Sequence, residues 1–396
     1  MTACPECFKE LPKTEIAFRC TSGQCRERPD DFHGKNRGFD ISLPPVMVAQ
    51  STEGRFPSAI PCSGCHEYAN QEVCPECAYD LPQGWRSART FTIAVGGARG
   101  AGKTVYIGVL IDVLRRYAER NGRIMNAYTT GTRDQYDLNY FEPLFKHNQP
   151  PMGTPPQADG GSAYQRDALI WHVSEGQGSP NIFICIRDMA GEDLERAVGV
   201  SNAFGYVREA DLVIFMFDPT VLPNIPRVLK GITPDVDATR LGKSAAEVLP
   251  TVLQLMNGGK GVLALAVGKF DALHHLPKGN NSYAVTMANP AAHFSRDDTM
   301  FRPTGNPKAA IQSFEEDSQF LDAEISGLLE QLNESSLSNQ AREAQSNNRI
   351  RAYRHFAVSA VGEPPQHSDE LTERGISPFR VLDPLLWGLT TRELWI

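Results

Sequence analysis

The sequence predicts an α/β domain, a largely parallel sheet with helices on both faces, preceded by a small cysteine-rich module. Three observations carry this expectation. From residue 89 onward, short apolar runs alternate with amphipathic stretches. The octapeptide G-A-R-G-A-G-K-T stands between one such run and one such stretch. Eight of the nine cysteines lie before residue 78, in four close pairs.

The cysteine-rich part comes first, over residues 1–88. Cys4 and Cys7, Cys62 and Cys65, and Cys74 and Cys77 form C-x-x-C pairs, and Cys20 and Cys25 lie slightly further apart. Two thiolates on a tight turn can share a tetrahedral Zn²⁺, and two such pairs close a structural site. The tetrapeptide CPEC occurs at 4–7 and again at 74–77, each copy followed by Leu-Pro (Leu11-Pro12, Leu81-Pro82). This is the pattern of a repeated zinc knuckle, so a tandem zinc-ribbon module with two structural zinc ions is expected. The simplest assignment is sequential, with Cys4, Cys7, Cys20 and Cys25 on one ion and Cys62, Cys65, Cys74 and Cys77 on the other. An interleaved arrangement stays open. His33 and His66 are spare donors beside complete Cys₄ sets. Residues 26–61 read as loop. A closed Cys₄ site leaves no position for a water, so the metal is expected to support the fold and not to catalyse.

The octapeptide follows TFTIAVG (90–96), whose alternating Phe91, Ile93 and Val95 predict a strand, and precedes an amphipathic helix over 105–120. Strand, G-x-x-x-x-G-K-T and helix in that order predict a phosphate-cradling loop. The backbone of Gly97, Ala98, Arg99, Gly100, Ala101 and Gly102 would turn its N–H groups toward oxyanions. Lys103 would reach the terminal phosphates, and the Thr104 hydroxyl would hold Mg²⁺.

Further strands are predicted at 168–173, 181–188, 211–218, 261–268 and 355–362, and helices at 191–210, 244–257 and 307–334. Residues 121–168 are polar, with Pro-Pro at 150–151 and 155–156. Residues 273–306 read as a long surface loop inserted in the α/β domain, which spans 89–396. Cys185 lies inside an apolar strand and reads as core. Asp218, ending its run, reads as a strand cap.

Three later motifs fall at predicted strand ends. Asp188-Met-Ala-Gly191 would place a carboxylate near Mg²⁺ and a glycine near a γ-phosphate. Loss of that phosphate would free the segment, as in a switch. Lys269-Phe-Asp271 would cover a base with the lysine stem and accept both N–H donors of guanine at the carboxylate. Ser359-Ala360 would meet the guanine oxygen with its backbone.

These motifs, in this order, resemble those of the translation-factor-related (TRAFAC) P-loop GTPases. The resemblance covers residues 89–396. It implies a six-stranded sheet with one antiparallel strand, together with binding of GTP and Mg²⁺. The CPEC pairs and the ending Pro378 to Trp387 are similar to a prokaryotic double-GTPase-type subgroup associated with conflict or defence loci. Against the family pattern, Gly268 replaces Asn or Thr, Arg99 replaces a frequent Gly, Glu192 replaces Gln, and Val361 replaces Lys or Leu.

The function expected is therefore a GTP-hydrolysing switch. Water would attack the γ-phosphate in line, with Lys103 and Mg²⁺ neutralising charge and Glu192 placing the water. Thr154 is the switch threonine assigned, with Thr129, Thr130 and Thr132 as competitors. Slow intrinsic hydrolysis and a protein partner, or self-association, follow from Glu192. Two other readings remain: a nucleic-acid-binding zinc-ribbon protein regulated by nucleotide, and a scaffold that binds nucleotide without hydrolysing it. A net charge of −8 provides no global field for nucleic acid or anionic membrane. No apolar run is long enough to predict a transmembrane helix. The first residues lack an apolar signal core, so a cytoplasmic location is expected.

Overall fold

The computed structural model describes residues 2–153, 167–175, 181–196, 202–230, 242–278, 284–301, 306–363, 371 and 375–396. The expectations for Thr154, for part of the 191–210 helix and for parts of the 273–306 insertion lie outside these residues.

The cysteine-rich module is built on three short strands. β1 (Glu15–Arg19) pairs antiparallel with β2 (Val46–Gln50) on one side and β3 (Gln71–Val73) on the other. A helix, α1 (Asp31–Arg37), lies between β1 and β2. The loop expected over 26–61 thus contains a helix and a strand. Asp30 caps α1 by accepting the His33 N–H, a local signal that the polar composition masked. Ile16, Phe18 and Ala69 form a small core of their own.

The main sheet has seven strands, not the six expected. In chain order they are β4 (Thr90–Gly97), β5 (Met125–Ala127), β6 (Leu169–Val173), β7 (Ile182–Asp188), β8 (Leu212–Phe217), β9 (Val262–Val267) and β10 (Tyr353–Ala357). Their spatial order is β10-β9-β8-β4-β7-β6-β5. The first five in that order are parallel. β6 runs antiparallel to both β7 and β5. The unexpected strand is β5, an edge strand of three residues within the polar stretch after residue 120. It is too short for periodicity to register. β4, β8 and β9 are buried at every residue, as strands covered on both faces must be.

The longer helices of this part, all of six residues or more, are α2 (Lys103–Arg120), α3 (Thr130–Tyr136), α4 (Gly191–Arg196), α5 (Ala245–Met256), α6 (Pro307–Gln331), α7 (Ser336–Ser346) and α8 (Asp383–Thr390) among the described residues. α3 runs on into a π-helix over Asp137–Lys146, which contains Pro143. Thr129 caps α3, and Thr132 accepts the backbone N–H of Ile170, so both serve local structure. β10 begins and ends earlier than expected, because the chain leaves the sheet after Ala357 and turns through Ser359 to Gly362. The described part of the insertion is not a free surface loop. Leu273, Met287 and Phe294 are buried in the main core, and Arg380 binds Asp297 through its backbone N–H.

The cysteine-rich module and the sheet share that main core. Phe8, Leu11, Leu81 and Trp85 belong to the same buried cluster as the strands. Trp85 donates its indole N–H to the Ala3 carbonyl at 2.9 Å, and the Ala3 N–H binds the Thr90 hydroxyl at 2.8 Å. Full burial of one such aromatic contributes about 1.5–3 kcal/mol. Several together fasten one end of the module to β4.

Candidate functional site

The eight cysteines gather into two tetrads, Cys4, Cys7, Cys74 and Cys77, and Cys20, Cys25, Cys62 and Cys65. The sequential assignment is therefore corrected: the outer pairs share one tetrad and the inner pairs the other. The reason is strand direction. Antiparallel pairing of β1 with β3 sets the residues before β1 beside those after β3. The residues after β1 meet those before β3 at the opposite end.

Each C-x-x-C pair makes the same turn. Cys4, Cys62 and Cys74 each accept, at their carbonyls, the N–H of the residue four positions on. That residue (Phe8, His66 or Ala78) has a φ between 51° and 63°. The turn brings both sulfurs to one side. Cross-pair Sγ–Sγ distances are 3.6–3.7 Å in both tetrads. A tetrahedral ion with Zn–S of about 2.3 Å separates its sulfurs by about 3.8 Å, so each tetrad could hold one zinc. His33 is bonded to Asp30 at 2.7 Å and belongs to neither set, and His66 is also outside both. The outer tetrad is fully buried, whereas Cys25 and Cys65 of the inner one are part-exposed.

The second cluster lies at the carboxyl edge of the parallel strands. After β4 the chain turns through Gly97 (φ 146°), Gly100 (φ 77°) and Gly102 (φ 84°) into α2. A methyl group on Gly97 would fall 2.0 Å from the Met216 carbonyl, so only glycine fits. Lys103 is buried, and its Nζ donates to the Gly97 and Ala98 carbonyls at 3.0 Å each. Burial lowers the Lys103 pKa, with the charges of Asp188 and Glu195 opposing that shift. Thr104 is the second residue of α2.

β7 ends at Asp188, and Gly191 packs against the glycine-rich turn. A Cβ there would lie 2.9 Å from the Arg99 nitrogen and 3.1 Å from Lys103 Nζ. Arg99 pairs with Glu192 at 3.3 Å, and its backbone N–H donates to Glu195 at 3.1 Å. Glu195 was not foreseen, since nothing in its sequence neighbourhood marks it.

Two strands along, Gly268 faces the turn. A Cβ on it would meet the Ala101 carbonyl at 3.2 Å, which accounts for a residue without a side chain at this point. Lys269 (φ 48°) pairs with Asp218 at 2.6 Å, and Asp218 also caps the short turn after β8 by accepting from Thr220. Asp271 is buried and accepts the Ser359 hydroxyl, which joins the ends of β9 and β10. Ala360 follows at the same edge, part-buried against the core. The structure thus collects Gly97 to Thr104, Asp188, Gly191, Glu192, Lys269, Asp271, Ser359 and Ala360 at one edge of one sheet.

The fold and these clusters define an α/β protein with a mixed seven-stranded sheet and two cysteine tetrads able to take metal. Over 395 residues the chain is 31% identical to the putative ESX-1 scaffolding and assembly protein SaeC of Mycolicibacterium smegmatis, covering 98% of both chains. It belongs to the family of that protein. No family model matches the chain. Among solved structures, the bacterial selenocysteine-specific elongation factor EF-Sec is a remote match. Identity is 15%, 48% of this chain and 22% of that one are covered, and the TM-score of 0.21 carries no argument. Among the described residues, no helix is long and apolar enough to cross a membrane.

Proposed function

We propose that this chain is a nucleotide-responsive scaffold. It binds a nucleoside triphosphate, GTP in preference to ATP, with Mg²⁺ at the carboxyl edge of the sheet, and presents protein-binding surfaces that depend on that nucleotide. The observation that supports this best is Lys103: a buried ammonium, held by two backbone carbonyls at the start of an 18-residue helix, with Gly191 against it. A buried cation beside a helix N-terminus is suited to a polyphosphate.

In this reading, Gly97 to Lys103 take the phosphates, and Thr104 and Asp188 take Mg²⁺. Lys269, Asp271, Ser359 and Ala360 take the base. The eight cysteines hold two structural zinc ions in a module, residues 1–88, that engages protein partners from its place on the 89–396 domain. The scaffold half of the reading rests on the relative, whose name speaks of scaffolding and assembly.

Hydrolysis, where it occurs, is slow in the isolated chain. Glu192 is tied to Arg99, and a carboxylate repels a γ-phosphate. The same ion pair favours a second reading, a scaffold that binds nucleotide and does not hydrolyse it. Calorimetry of GTP and ATP with Mg²⁺ tests the proposal. GTP should bind more tightly by at least about tenfold; equal affinities would remove the guanine preference, and no binding would sink the reading. Single-turnover assays separate the hydrolysing from the non-hydrolysing form.

A further inference from the structure

The two CPEC copies are identical, yet their glutamates have opposite fates. Glu76 pairs with Lys9 at the surface. Glu6, between Cys4 and Cys7, is buried. Its carbonyl accepts from the Arg187 guanidinium at 2.7 Å, and its carboxylate pairs with the same group at 3.1 Å. Arg187 is buried too, with its guanidinium 4.0 Å from the centre of the Tyr206 ring, and Phe8 stands edge-on to that ring. Arg187 immediately precedes Asp188 at the end of β7.

The module holds the segment after α4 as well. Gly38, which ends α1, packs so tightly on 202–204 that a methyl group would fall 2.2 Å from Ala203 Cα. Arg37 beside it donates to the Cys77 carbonyl at 2.6 Å. The outer tetrad is therefore bonded through Glu6 to Arg187 on one side of the segment that carries Asp188 and Gly191, and on the other it is tied through the Cys77 carbonyl to Arg37 of α1, the helix whose Gly38 packs on Ala203. The inner tetrad has a separate small core and none of these bonds among the described residues.

We infer that the metal of the outer tetrad and the nucleotide are thermodynamically coupled through the Glu6–Arg187 clasp, and that the inner metal is not. The inference rests on the nucleotide reading above. With the outer metal in place, the Cys4–Cys7 turn holds Glu6 against Arg187, and Arg187 holds the end of β7. Without it, the turn loosens, and a buried guanidinium loses the carboxylate paired with it at 3.1 Å, one of the two acids whose charge acts on it. β7 must then shift, and Asp188 with it. Linkage is reciprocal, so bound nucleotide retains the outer metal. One tetrad is a regulatory joint and the other is a local staple.

The test uses the full chain with both metals bound. Zinc transfer to a chromogenic chelator is followed with and without Mg²⁺ and GTP. Two phases are expected, the faster from the part-exposed inner tetrad, and a Cys20→Ser, Cys25→Ser variant assigns it by losing that phase alone. GTP should slow the outer phase and leave the inner phase unchanged, and at equilibrium with the chelator it should raise the zinc affinity of the outer tetrad roughly 5- to 150-fold, the ordinary range for coupled sites. Glu6→Gln should keep two zinc ions yet bring the GTP effect close to onefold. If GTP binds by calorimetry but slows both phases alike, or neither, the coupling is wrong. If GTP does not bind, the nucleotide reading fails by itself. Hydrogen exchange over 181–196 then decides the clasp: protection that survives loss of the outer metal overturns it, and protection lost with that metal upholds it.

Discussion

Ser359 donates its hydroxyl to Asp271 at 2.5 Å while accepting the Gly362 N–H at 2.9 Å. The contact spans 88 residues of chain and braces a buried carboxylate between two strand ends. Burial raises the Asp271 pKa, and the Ser359 hydrogen bond opposes that rise. A carboxylate accepts through both of its oxygens, and guanine would offer it two donors.

Asp271→Asn should therefore weaken GTP binding by at least about tenfold, the worth of one charge-assisted hydrogen bond. It should also improve binding of xanthosine triphosphate, whose 2-oxo group accepts where guanine donates. Calorimetry with both nucleotides checks this, and an unchanged preference would show that Asp271 does not meet the base.

The same carboxylate sets a pH dependence. Guanine needs it ionised, and its folded pKa lies above the ordinary 3.8. GTP affinity should be full well above the raised pKa and fall as pH drops through it, beginning at a higher pH than for an ordinary aspartate. The stability of the nucleotide-free chain moves the other way. A raised acid pKa costs stability above the unfolded pKa, so this group destabilises less as pH falls. Affinity measured from pH 7 downward, for the wild type and Asp271→Asn, isolates the effect: the variant should show none of this fall.

Lys103→Ala should remove nearly all nucleotide affinity and leave the zinc content at the wild-type value. The lysine is the formal positive charge that the glycine-rich turn holds buried, and the tetrads lie outside that turn. Nucleotide titration and elemental analysis of one preparation give both numbers. Unaltered GTP binding would show that the turn is not a phosphate site.

Zinc counting can also test the nested pairing. The wild type should hold two ions, one per tetrad. Cys4→Ser with Cys74→Ser should lose one ion, since both residues serve the outer tetrad. Cys4→Ser with Cys20→Ser should lose two. Sequential pairing would reverse these results. The outer-tetrad variant should also lower the unfolding temperature of the α/β core, because Cys4, Cys7, Cys74 and Cys77 are part of it.

Gly268→Asn, which introduces the residue usual at this point in the TRAFAC GTPases that the motifs resemble, should destabilise the fold. Its Cβ would press on the Ala101 carbonyl at 3.2 Å, and overpacking of this kind costs about 1–3 kcal/mol. Thermal or urea unfolding measures the loss. A gain in both stability and GTP affinity would show that the close approach at Ala101 is readily relieved.

Much of the architecture was legible because its signals are local. The runs that became β8 and β9 are apolar throughout, since both faces of those strands are covered, and β4 and the first five residues of β7 are largely so. The turn from Gly97 to Thr104 is written in glycines whose backbone angles other residues rarely adopt. β5 was not legible, since three residues at a sheet edge carry no period. α1 was hidden by polar composition, whereas β2 is an apolar run of four residues, short, part-exposed and directly after Pro44-Pro45.

What the sequence by itself determined were the short-range features: where strands begin, where the chain must turn, and that each C-x-x-C pair folds its sulfurs to one side. Tertiary structure alone decided which pairs meet. That choice depends on the antiparallel register of β1 and β3, set by contacts more than fifty residues apart. It also decided that one of two identical CPEC turns sets its glutamate against Arg187 while the other turns Glu76 to the surface beside Lys9. A tetrapeptide specifies its own backbone; the charge it meets depends on how distant strands stack.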